Sequence, residues 1–273
     1  MKIMSFSNII IFLRAVKRMT RLFTEMIVPA GQDTYTFSGE EARYLSDVLR
    51  MQKGESICLC DGARTDFTGK IIDLTHDCVT VELVEKEPNH TEPPYEAVMY
   101  QALVKGDKMD LIIQKGVELG VSRIVPVSCT RSIVRLEGKD TGKKIARWQK
   151  IAEEAARQSG RGIVPKIESP LSFIKAIEKA RAESDLVFLP WEGEKSLPLS
   201  TILDEFAAKS PHLEPDLPCL SFFIGPEGGF DPREIDIAAA AGVRTVTLGR
   251  RILRTETAGI AVLSMFIYRL ERM

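Results

Sequence analysis

The chain has 273 residues, beyond the usual size of one core, and its length suggests two domains. Hydrophobic residues make up 44% and charged residues 27%, which excludes a disordered or fibrous chain, and a net charge of -1 gives no global case for a polyanionic partner. Five cysteines without C-x-x-C spacing and three scattered histidines argue against a disulfide framework, a zinc site and metal catalysis.

Residues 9–13 (IIIFL) form a short apolar run, far below the ~20 residues needed to span a bilayer. Arg14, Lys17 and Arg18 follow it where a secretory signal would carry small residues. Residues 1–18 therefore read as an extension or an upstream start, with the working protein beginning near Met19 and residing in the cytoplasm.

The spacing then predicts a helix over residues 39–51, where Tyr44-Leu45 and Val48-Leu49 recur on one side. Residues 56–60 predict a strand ending at Asp61-Gly62, a hairpin turn signal, and alternation predicts further strands at 65–72 and 79–84. Short strands at this spacing suggest a small β-barrel. Cys58 and Cys60 lie two apart on one strand, hence on one face, and read as core. Residues 87–94 are polar, contain three prolines and read as a linker.

Beyond Tyr95 the rhythm changes to alternating strands and helices. Strands are predicted at 98–104, 123–127, 186–189, 220–224 and 243–248, and helices at 107–119, 143–159, 171–182, 199–208, 232–241 and 255–270. Such alternation implies a parallel sheet covered by helices, with ligands beyond the carboxyl ends of the strands. Charge is uneven: residues 105–161 carry 13 Lys/Arg against 7 Asp/Glu, and residues 185–242 carry 3 against 11. One face meeting a polyanion would account for this, and so would ordinary solvated helix faces.

Two segments carry chemistry. GPEGGF at residues 225–230 follows an apolar strand directly, and Asp231-Pro232-Arg233-Glu234 reads as N-cap, Pro at N1 and Glu at N3. A glycine loop between a buried strand and a helix start suits close approach to a ligand, or simply a tight βα turn. It lacks the Gly-Lys-Ser/Thr of a P-loop and is not a G-x-G-x-x-G fingerprint. The second segment, LGRRILRTETA at residues 248–258, also joins a strand to a helix. Thr255 or Thr257 reads as a cap of that helix. Arg250, Arg251 and Arg254 at a strand's carboxyl end suggest phosphate or base contacts.

Together these segments resemble the bacterial 16S rRNA uridine-N3 methyltransferases (RsmE) of the SPOUT superfamily. Arg21-Leu22-Phe23, Leu49-Arg50-Met51, KGDKMDLIIQKGVELGV at 105–121 and Gln158-Ser159-Gly160-Arg161 also resemble family motifs, so nearly all of residues 19–273 is covered. Residues 1–18 have no counterpart in the pattern. Arg157 departs from it, standing where glutamate is expected.

The resemblance implies an α/β SPOUT methyltransferase domain with a carboxy-terminal trefoil knot at 93–273, preceded by a PUA-like RNA-binding β-barrel at 19–92. It implies a homodimer without metal, acting on 16S rRNA or the small ribosomal subunit. S-adenosylmethionine would lie against Gly225, Glu227, Gly229, Leu248, Gly249, Ile252 and Leu253. Leu189 and Pro190 would add a wall, and Thr257 and Ala258 would close it. Arg254 would hold the uracil or its developing charge, with Glu227 or Glu256 as proton acceptor. RNA contacts would fall to Arg21, Arg50, Lys105, Lys108, Lys115, Arg157 and Arg161. Rival readings are a SPOUT enzyme for another RNA base, a noncatalytic ribosome-assembly factor, and an unrelated nucleotide-binding enzyme using GPEGG for phosphates.

Overall fold

The structure is a computed structural model that describes residues 19–24, 33–134, 136, 139–209 and 217–271; the expected extension at 1–18 lies outside them. The chain divides into two compact units, Met1–Thr91 and Glu92–Met273.

The first unit contains β1 (Thr20–Phe23), β2 (Thr34–Ser38), α1 (Gly39–Arg43), β3 (Ser56–Cys60), β4 (Thr65–Leu74) and β5 (Cys78–Pro88). They form a five-stranded sheet in the order β1-β3-β4-β5-β2. The β3–β4 hairpin is closed by Asp61, whose Oδ1 accepts from the amides of Ala63 (2.8 Å) and Thr65 (3.0 Å). Alternation along β4 buries Phe67 and Ile71 against Phe37, Leu45, Ile57 and Leu59 in the core of this unit. The helix expected over 39–51 is shorter. After one α turn the chain widens into a π turn at Tyr44–Val48, and Arg50, at φ +51°, reverses it. The linker is also shorter than expected, because β5 continues its ladder to Pro88.

The second unit contains β6 (Glu96–Ala102), α2 (Lys108–Glu118), β7 (Arg123–Ser128), α3 (Lys139–Ser159), β8 (Lys166–Ile167), β9 (Leu171–Ser172) and α4 (Phe173–Glu183). It continues with β10 (Leu186–Pro190), α5 (Leu199–Lys209), β11 (Cys219–Ile224), α6 (Pro232–Ala240), β12 (Arg244–Val246) and α7 (Thr255–Leu270). Their sheet is parallel throughout, in the order β12-β10-β11-β6-β7-β8, with β9 also paired to β7. Every residue of β11 is buried, as expected of a central strand covered on both faces. One face packs Tyr100, Phe173, Phe223 and Phe230 together, and the other packs Phe188 and Phe222 against Phe266 of α7.

Two boundaries differ from the sequence reading for reasons that bear on function. Leu171–Ser172 adds to β7 before α4 begins, and the Ser172 hydroxyl then caps the helix. The strand expected over 243–248 is only Arg244–Val246, because Thr247 turns to bond the Leu197 carbonyl. The strand order runs outward in both directions from β6 and β11. The loops after β10, β11 and β12 therefore leave the same edge of the sheet side by side.

Candidate functional site

Those three loops enclose a cleft of about 560 Å³. Residues 225–230 form one wall, residues 247–256 another, and Pro190, Trp191, Glu192 and Lys195 a third; Lys108 and Ala258 complete it. The two segments singled out in the sequence thus face the same cavity.

The 225–230 loop is held from several sides. Gly229 takes φ +67°, a backbone conformation that favours glycine, and Glu192 Oε1 lies where a side chain there would begin. Asp231 and Glu234 form the capping box that starts α6, as expected from their spacing. The buried Glu234 also accepts from the Thr130 amide (2.7 Å) and hydroxyl (3.1 Å), tying α6 to the end of β7. Arg131 donates to the Gly228 carbonyl at 3.0 Å. Lys108, at the start of α2, donates to Glu227 Oε1 at 3.0 Å.

Of the expected cofactor residues, Pro190, Gly225, Glu227, Gly229, Leu248, Gly249, Ile252, Leu253 and Ala258 line the cleft. Leu189 does not; it is fully buried in the core behind Pro190. Thr257 points outward from α7 and is exposed. Neither threonine caps the last helix, because Arg254 occupies the N-cap position without a side-chain cap bond. Thr255 instead donates its hydroxyl to the Gly225 carbonyl at 2.7 Å and accepts from Gln101 Nε2 at 3.1 Å.

The charged groups of the cleft differ sharply in their surroundings. Burial pushes the Glu227 carboxyl up, but its own backbone amide and Lys108 outweigh this and hold it below the usual carboxylate range. Glu256 is only 16% exposed, and its Oε2 is buried without a hydrogen-bond partner. Lys108 Nζ lies 3.9 Å from that oxygen and Arg254 4.0 Å from the other, both beyond hydrogen-bond reach. The Arg254 side chain is 82% exposed at the mouth of the cleft.

Two expected RNA contacts are corrected. Arg21 makes a bidentate pair with Asp66 (2.9 and 2.6 Å) and is 11% exposed, so it is built into the first unit. Arg161 is 3% exposed, bound to the Glu92 carboxylate and to the carbonyls of Val117 and Val121. Both guanidinium groups are bound to partners inside their own unit. Arg157 is paired with Glu154 and Lys115 with Glu118 on their own helices, whereas Arg50 and Lys105 are exposed. The sequence reading missed Trp191, Glu192, Lys195, Phe230 and Thr247 in the lining; single residues after a strand give no periodic signal.

Comparison with known proteins agrees with this geometry. Residues 91–267 match a family described as RNA methyltransferase domain, and residues 37–84 one described as RNA methyltransferase PUA domain. The two-part RNA methyltransferases are therefore the class to which this fold and cleft correspond. Ribosomal RNA small subunit methyltransferase E of Bacillus subtilis is 34% identical over 93% of this chain and 98% of its own length. The same enzyme of Synechocystis is 33% identical over 90% of this chain and 76% of its own. A crystal structure of the Neisseria gonorrhoeae enzyme bound to S-adenosyl methionine superposes with a TM-score of 0.79, at 31% identity, over 92% of this chain and 97% of that one. A Legionella pneumophila methyltransferase with bound SAM gives 0.77 at 28% identity, over 92% and 98%. The chain belongs to the ribosomal RNA small subunit methyltransferase E family.

Proposed function

We propose that the protein transfers the methyl group of S-adenosylmethionine to N3 of a uracil in the 16S rRNA of the small ribosomal subunit, in the cytoplasm. The observation that carries this reading is the shared cleft of residues 225–230 and 247–256. Its volume lies in the usual range for small-molecule sites, and Gly229 keeps one wall free of a side chain. Apolar Ile224, Phe230 and Leu253 stand beside the backbone of Gly225, Leu248 and Gly249, a lining that fits a flat, partly apolar nucleoside with polar edges. Pro190, Glu227, Ile252 and Ala258 complete the set that would hold it.

The cofactor supplies a methyl group already activated on a sulfonium. The residues must then align N3 with that carbon and accept the N3 proton. Alignment contributes about 7–11 kcal/mol in favourable cases, whereas a general base adds about 10²–10⁴-fold. Positioning by the two loops is therefore the larger effect. Glu256 is the better proton acceptor of the two candidates, since Glu227 is engaged by a direct hydrogen bond from Lys108, whereas Glu256 Oε2 has no hydrogen-bond partner. Arg254, free to swing at the mouth, holds the uracil or its developing negative charge. N3 lies on the pairing edge, so the target base must be unpaired and withdrawn from the stack. Arg250, Arg251, Lys105, Lys108 and Arg50 are the cations that would meet phosphate, with Lys115 and Arg157 joining if their intrahelical pairs yield.

The trefoil knot belongs to the same proposal and rests on membership of the family. A homodimer belongs to it too. Helix α7 carries Tyr268 at 85% exposed, and the adjoining loop carries Ile252 at 85%, apolar surface that a second copy would cover.

The test is methyl transfer from labelled cofactor to small subunits lacking this modification, followed by nuclease digestion and mass spectrometry. Label in N3-methyluridine is expected. Label in another base, or cofactor binding without any label in RNA, overturns the assignment.

A further inference from the structure

Trp191, which none of the motifs above includes, is the first residue after β10 and lines the cleft beside Gly225 and Leu248. It is half-buried, packed on one side against the core beneath the sheet's edge. The turn bearing it is tightly made. The Trp191 amide donates to the Val246 carbonyl (3.0 Å), and the Glu194 amide donates back to the Trp191 carbonyl (3.1 Å). Glu194 Oε1 accepts from the Ser196 amide and hydroxyl (2.7 Å each) and from the Leu197 amide (3.2 Å). Its other oxygen accepts from Thr245 Oγ1 (3.0 Å) on β12. The indole covers this turn so closely that a Cβ at Gly193 would lie 2.3 Å from Trp191 Cζ2 and 2.4 Å from Cη2. Any other residue at 193 would drive the ring from its place.

A large aromatic ring fixed by a rigid turn at the rim of a nucleoside-sized cleft has a definite chemical use. We propose that Trp191 is the aromatic platform of the cleft, against which a planar heterocycle stacks, either the adenine of the methyl donor or the uracil to be methylated. This rests on the methyltransferase reading and adds the residue that holds one of its rings. Ring-on-indole stacking is sequence-tolerant and changes binding by about 5- to 150-fold per base. Its loss would therefore appear mainly in the KM of whichever partner stacks.

The protein contains two tryptophans, and the other, Trp148, is 6% exposed on α3 and outside the cleft. In Trp148→Phe, emission reports Trp191 alone. It is titrated with S-adenosylhomocysteine and, separately, with a small-subunit RNA fragment. Quenching by S-adenosylhomocysteine assigns the platform to adenine, and quenching only by RNA assigns it to uracil. In the otherwise native chain, Trp191→Leu then raises the KM of that same partner at least 5-fold, while Trp191→Phe stays within about 3-fold of the parent. Flat emission with both probes, or KM values for Trp191→Leu within two-fold of the parent, overturns the proposal. Either result with methyl transfer intact leaves the methyltransferase reading standing; absence of cofactor binding by calorimetry would strike that reading instead.

Discussion

The hydroxyl of Thr255 lies 2.7 Å from the carbonyl oxygen of Gly225, thirty residues away, and joins the two walls of the cleft directly. The same oxygen also accepts a hydrogen bond, because Gln101 Nε2 donates to it from the end of β6. The amide orientation of Gln101 follows from chemistry: Nε2 faces two acceptors, Thr255 Oγ1 and the Ala102 carbonyl. Only a side chain that donates and accepts at one atom fits this position. The ends of β6 and β11 and the start of α7 are thus pinned through one atom.

Thr255→Val should keep the fold's volume while taking the hydroxyl donor from the Gly225 carbonyl and one of two acceptors from Gln101 Nε2, a cost of about 1–3 kcal/mol. Since the lost bond sets the spacing of the walls, kcat per folded molecule should fall more than cofactor affinity does. Thr255→Ser should recover most of the rate. Single-turnover methyl transfer beside calorimetric cofactor binding decides it; equal losses that serine fails to restore would leave Thr255 with a packing role only.

The two acidic residues of the cleft should separate cleanly. Glu227→Gln breaks a partly exposed pair with Lys108, of a kind worth about 0–1 kcal/mol, and should change kcat by less than about 10-fold. Glu256→Gln removes a carboxylate with a buried, unpartnered oxygen, and should lower kcat by about 10²–10⁴-fold with little change in cofactor affinity. The reverse ranking in a pre-steady-state assay would move the proton acceptor to Glu227.

Arg254 occupies the N-cap of α7 with no side-chain bond to the helix, and its side chain is 82% exposed. Arg254→Ala should therefore leave the melting temperature within a degree or two and lower turnover more than cofactor binding. Equal loss of turnover and cofactor affinity would place Arg254 in the cofactor pocket.

What the sequence made legible followed from pattern. The apolar run of β11, the Asp231–Glu234 capping box and the helix at Thr255–Leu270 are local signals, and they stand where expected. The strands β1, β2, β8 and β9 escaped notice because two to five residues give too little of a period. Side-chain roles were harder. Arg21 and Arg161 look like free cations until Asp66 and Glu92, 45 and 69 residues away, are brought against them. Thr255 looks like a cap until Gly225 is placed beside it. Such partners depend on tertiary contact, which spacing along the chain does not encode.

Glu92 and Arg161, each 3% exposed, form the most deeply buried charge pair among the described residues. Glu92 Oε1 also accepts from the amides of Gly162 (2.7 Å) and Ile163 (3.2 Å), so the pair fastens the start of the second unit to the turn after α3. Arg161→Met should destabilise that unit by about 3–5 kcal/mol by stranding a buried carboxylate. Adding Glu92→Gln should cost less than the sum of the single changes, as a double-mutant cycle in urea would measure.

Asp66 gives the first unit an acid-sensitive joint. Burial pushes its carboxyl up, but hydrogen bonds from Arg21 and from Asn89 Nδ2 (2.9 Å) prevail and hold it below the usual range. The unfolded chain, with an ordinary carboxyl near ~3.9, takes up a proton first as pH falls. The stabilisation is therefore complete above about pH 4–5 and is lost as pH drops through the lower folded value. Asp66→Asn should lower stability by about 3 kcal/mol at pH 7, because Arg21 then keeps a charge with no carboxylate. The gap between parent and variant should narrow steadily below about pH 4, as circular dichroism of urea unfolding at each pH would show. A gap that stays constant from pH 7 to pH 3 would mean that the pair contributes through shape and hydrogen bonding alone, with no net contribution from its charge.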